Sequence, residues 1–111
     1  MTNGQRALQI WSVLVAAARN QQILSYATVQ DLVGVPQHAL TPLFGSIEAY
    51  CRRRQYPHLT AIVIDESTGL PGDILPGHAS ATGLEVLRNQ SRVFVFDWLK
   101  HKPPSEDDFQ Q

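Results

Sequence analysis

Apolar residues open the chain in a helical rhythm. Leu8, Trp11, Leu14 (or Val15) and Ala18 recur at spacings of three and four, which places them on one face of a helix ending near Asn20. Thr2 or Asn3 can cap its start. Trp11 is the natural core anchor of this face. Ile23, Leu24 and Tyr26 then suggest a short extended piece. A second helix is expected over 27–33, with Val29, Leu32 and Val33 inward. Gly34 stands where a left-handed cap belongs, and Pro36 bars continuation.

Thr41-Pro42 predicts the start of a third helix, with threonine capping free amides and proline in the first helical position. Leu43, Ile47 and Tyr50 form its inner face, with Phe44 as a further core candidate. Gly45 costs about 1 kcal/mol there relative to Ala. The helix is expected to end near Arg54, where Arg52, Arg53 and Arg54 complement the negative end of its dipole. Residues 59–64 are apolar except at Thr60 and predict a buried strand. Turn residues fill 65–72, a short return strand fits 73–77, and 80–89 suit a helix with Leu84 and Leu87 as its apolar pair. The segment 92–99 fits either two faces of a strand or the last turns of a buried helix; helix is preferred because it continues from Leu84.

Two short helices around a Gly-bearing turn, followed by a strand, form a helix-turn-helix with a wing. The expected fold is therefore α+β: a small winged-helix-like domain over 1–102, followed by an acidic flexible tail over 103–111.

The order of pieces resembles the winged-helix DNA-binding domain of alkylguanine-DNA alkyltransferases and alkyltransferase-like proteins. The matching elements are the first helix, Ser25-Tyr26, the second helix, Gly34, the third helix, and Pro57 leading into an apolar strand, over roughly 8–72. The resemblance implies a duplex-DNA scaffold. It does not carry over the chemistry. That family has Pro-Cys-His-Arg at the strand entrance, whereas this chain has Pro57-His58-Leu59-Thr60 and so lacks the alkyl-accepting cysteine. No arginine lies between Gly34 and Cys51 to replace a flipped base.

Composition narrows the function. With 43% apolar residues the chain has enough material for a core, unlike a disordered segment. A formal net charge of -1 means that any nucleic-acid surface must be a local patch. The single cysteine, Cys51, fits a reducing cytosol. The longest apolar run, 10–18, is too short for a membrane span of about 20 residues. No signal-peptide pattern is visible, so a cytoplasmic location is expected.

The basic cluster Arg52, Arg53 and Arg54 suggests phosphate contacts, with Arg6 and Arg19 able to extend it. Gln37, His38 and Thr41 would present side chains to base edges from the front of the third helix. Phe94, Phe96 and Trp98 suggest a protein-partner or self-association surface if exposed. Cys51 and His58 lack an orienting third group at a recognisable spacing. His38, His58, His78 and His101 are too far apart in sequence for a zinc pattern, and Asp65, Glu66 and Asp73 sit in a polar turn that favours solvation. No cofactor or metal is expected. The leading expectation is a non-catalytic DNA-binding protein. A protein-interaction adaptor or homodimeric subunit is the alternative, and an enzyme using Asp65, Asp73 or a histidine ranks third.

Overall fold

A computed structural model describes residues 2–69 and 83–109. Helix α1 spans Asn3–Arg19. Thr2 and Gln5 start it with a reciprocal capping box, at 3.1 Å from the Gln5 amide to Thr2 Oγ1 and 2.9 Å from the Thr2 amide to Gln5 Oε1. Ala7, Ile10, Trp11, Leu14, Ala17 and Ala18 form its buried face.

The two-residue strand β1, Leu24–Ser25, leads into α2, Tyr26–Val33. Tyr26 belongs to the helix, not to an extended piece, because Ser25 takes the cap and its hydroxyl accepts from the Thr28 amide at 3.1 Å. Val29 and Val33 are buried together with Tyr26, but Leu32 points outward at 57% exposure. Gly34 closes α2 in the left-handed region at φ 68, as expected.

Helix α3, Gln37–Arg54, begins well before Thr41-Pro42. Pro36 is its cap residue, and Pro42 lies inside it, where the missing amide removes a bond to the carbonyl of His38. Burial outweighs that loss: the early start puts Leu40 in the core at 0% exposure beside Leu43 and Phe44.

The expected strand over 59–64 is mostly a 3₁₀ turn, Leu59–Ile62, with only β2, Val63–Ile64, extended. Every residue from Leu59 to Val63 is buried, so the apolar run marked burial without fixing the backbone type. β2 pairs with β1 in parallel, Leu24 opposite Val63 and Ser25 opposite Ile64. The expected return strand over 73–77 lies outside the described residues.

Helix α4, Gly83–Val95, buries Val86, Gln90 and Val93. The expected pair Leu84 and Leu87 is instead exposed, at 58% and 63%. Gln90 fixes this rotation by donating through Nε2 to the Ala61 carbonyl at 3.0 Å. The helix extends to Val95, and Trp98 then folds back, its Nε1 donating to the Val93 carbonyl at 2.8 Å.

The acidic end is not a loose tail as far as Phe109. Pro104 is buried, a second 3₁₀ turn covers Glu106–Phe109, and Phe109 is 4% exposed against Trp11 and Tyr50. An apolar terminal ring explains what charge counting missed. The described residues thus form four helices around one core, with a two-stranded parallel sheet at one edge. None of these helices is long and apolar enough to cross a membrane.

Candidate functional site

The three arginines at the end of α3 diverge, as successive helical residues must. Arg53 donates through Nη2 to the Asp108 carbonyl at 2.7 Å, tying the C-terminal turn to α3. Arg54 lies 5.6 Å from the Tyr50 ring centroid. Burial pushes the Tyr50 phenol up, and Arg54 pulls it part of the way back. Arg52 is exposed, and its charge acts on His58.

His58 is reached through a tight reversal. Gln55 adopts the left-handed region at φ 59, and Pro57 precedes the histidine. The imidazole donates through Nδ1 to Glu48 Oε2 at 2.9 Å. Thr60 donates its hydroxyl to the other carboxyl oxygen, Oε1. Glu48 is 2% exposed, while the His58 side chain keeps 46% of its surface open. The hydrogen bond to Glu48 raises the His58 pKa; partial desolvation opposes this, as do Arg52 and Arg92. Cys51, also on α3, is fully buried, and burial with Glu48 nearby pushes its thiol up to about 12. It is a packed thiol without nucleophilic character.

The open side of His58 faces a groove of about 660 Å³ between residues 55–58 and the end of α4 with its following turn. Arg92, Lys100 and His101 share its lining with His58, and among the described residues Asp97 is the one carboxylate there. Aromatic rings support this wall. Trp98 lies 4.5 Å from Phe96, and His101 stacks on Phe96 at 5.1 Å with 5° between planes. Tyr56 packs on both Phe96 and His101, at 5.2 and 5.1 Å. The arrangement presents cationic and hydrogen-bonding groups on a rigid base, which suits an anionic ligand with planar parts.

The residues singled out by sequence do not converge. Gln37 and His38 lie in the first turn of α3, both exposed, while Thr41 is half-buried. Gln37 shares a depression with Asp65 and Glu66, an environment that repels phosphate. Asp65 accepts from the Ser67 amide and hydroxyl, at 2.9 and 2.7 Å, and these bonds hold its carboxyl below the usual range. Arg53 lies sixteen positions from Gln37 on one helix, roughly 24 Å along the axis. Of the aromatic trio, Trp98 is buried and Phe94 and Phe96 are half-buried against the core. His78 and Asp73 lie outside the described residues. Sequence reading missed Glu48 as a partner of His58, missed Arg92 and Lys100, and weighed His101 only as a metal ligand. Lys100 and His101 are neighbours in sequence, but these residues reach His58 and Glu48 only because α4 docks on the 3₁₀ turn. Among the described residues no group of three His, Cys, Asp or Glu is placed to hold a metal ion.

Neither family models, nor curated proteins, nor solved structures include a match to this chain.

Proposed function

We propose that this chain is a non-catalytic DNA-binding domain that holds its ligand in the groove beside His58, not at the front of α3. The observation that carries this reading is the gathering of His58, Arg92, Lys100 and His101 on one groove, with Asp97 as the single opposing carboxylate among the described residues. In a chain of net charge -1, Arg92 and Lys100 on one groove with two histidines beside them are a local device. The helix-turn-helix order of α2 and α3 and the alkyltransferase-like resemblance add support for a winged-helix relative. The buried thiol argues against a cysteine-based transfer.

A gel-shift series with a short DNA duplex tests the reading. Affinity should fall as salt rises, and Arg92→Glu with Lys100→Glu should remove binding; removing one such phosphate contact should reduce the salt slope by about 1. Absence of wild-type binding at low salt sinks the proposal.

A protein-partner role is the second reading. It draws on Leu84, Leu87 and Val95, which lie exposed along one side of α4 at 58%, 63% and 79%.

A further inference from the structure

The groove beside His58 is built on a buried frame. Glu48 is 2% exposed and divides its two oxygens between His58 and Thr60. One ring nitrogen of His58 is therefore committed inward, while nearly half of the side chain remains open beside Arg92 and Lys100. The α4 side of the groove is equally fixed. Gln90, buried, bonds the Ala61 carbonyl at 3.0 Å only two residues before Arg92. Such rigidity suits a discrete anionic group better than a loosely tracked backbone.

We propose that this corner of the groove is a subsite for a phosphomonoester, the terminal phosphate of a DNA strand, held by His58, Arg92 and Lys100. A backbone phosphodiester carries one negative charge, whereas a terminal phosphomonoester carries about -1.5 to -2 at neutral pH and has three acceptor oxygens. Several cations around one site match the second better than the first. Asn89 adds a neutral donor to the same lining. Asp97 lines the groove as well, and its charge opposes any anion placed near it, so the phosphate is assigned to the side of His58, Arg92 and Lys100. The groove volume of about 660 Å³ exceeds the need of a phosphate alone and leaves room for the attached sugar against Tyr56 and Phe96.

The inference rests on the DNA-binding reading, and the test separates the two. Fluorescence anisotropy is measured at low salt with one labelled short DNA duplex in three forms: hydroxyl ends, 5′-phosphates, and 3′-phosphates. Inorganic phosphate serves as competitor. One phosphorylated form should bind at least tenfold more tightly than the hydroxyl form, which identifies the end that is read. Arg92 is solvent-exposed, so Arg92→Gln should fold normally; it should weaken the hydroxyl form severalfold, as loss of one phosphate contact does, and the preferred phosphorylated form at least tenfold more, which erases the preference. His58→Asn should act in the same direction, and inorganic phosphate should compete with the phosphorylated duplex alone. Equal binding of all three forms overturns the subsite and leaves the DNA reading standing. Binding of none of them overturns both.

Discussion

His58 donates through Nδ1 to Glu48 Oε2 across 2.9 Å, joining the reversal after α3 to a carboxyl that the helix has carried into the core. The bond has a consequence for stability. It raises the His58 pKa in the folded state above the ordinary histidine value, against the opposing effects of desolvation, Arg52 and Arg92. A group whose folded pKa is raised lends stability that is fully present below its unfolded value, about 6.5, and is lost as pH rises through the folded value. Thermal melts should therefore show Tm declining as pH rises above the ordinary histidine range, a decline that His58→Gln flattens. An equal decline in the variant would assign the effect to another group.

Thr60 is the other arm of the same frame. It is fully buried, and its hydroxyl satisfies the second Glu48 oxygen. Thr60→Val keeps the shape but removes the donor, leaving a buried oxygen without that bond. The expected loss is about 1–3 kcal/mol in urea denaturation. A loss below a few tenths would mean that Glu48 finds a replacement partner.

Cys51 should be inert in the folded protein. Its thiol is buried, and its pKa of about 12 leaves almost no thiolate at neutral pH. Iodoacetamide should modify it only in denaturant, and Cys51→Ala should leave DNA binding unchanged. Rapid stoichiometric labelling of the native protein would overturn this assignment.

The sequence made the helices legible where apolar spacing and caps agreed. Thr2, Gly34 and the inner face Leu43, Ile47 and Tyr50 all behave as their patterns indicate. It misled where two signals competed. Thr41-Pro42 is a strong local start, yet burial of Leu40 draws the helix back to Gln37. Leu84 and Leu87 look like an inner pair, yet the long-range bond from Gln90 to Ala61 turns them outward. The site was less legible still. His58 was visible as a polar residue beside Pro57, but its partner Glu48 is on another element, and Arg92, Lys100 and His101 come from the far end of the chain. Tertiary docking brings them together, and a one-dimensional pattern carries no trace of it.

Phe109 should matter more than a tail residue would. Its ring lies 5.4 Å from Tyr50 and 6.1 Å from Trp11, and only 4% of the residue is exposed. Phe109→Ala should cost about 3–5 kcal/mol if the cavity does not collapse. Deletion of 103–111 should be at least as damaging, because it also removes the buried Pro104 and the Asp108 carbonyl that Arg53 holds. A truncated protein with unchanged urea midpoint would restore the loose-tail expectation.

The arginines at the end of α3 offer the sharpest separation of structure from binding. Arg52 is exposed and close enough to His58 to depress its protonation, so it belongs to the groove's electrostatic surroundings. Arg53 is bonded to the C-terminal turn, and Arg54 lies against Tyr50. Charge reversal should therefore divide the cluster. Arg52→Glu should weaken DNA binding severalfold and reduce its salt dependence, with little change in Tm, since an exposed side chain contributes little to folding. Arg53→Glu with Arg54→Glu should lower Tm by loosening the turn that carries Phe109, while the salt slope of binding stays the same. Parallel melts and salt titrations on the two variants check both halves. If the Arg53/Arg54 pair instead removes binding at unchanged Tm, the three arginines act as one phosphate-contact patch, and the ligand lies across the end of α3 and not in the groove beside His58.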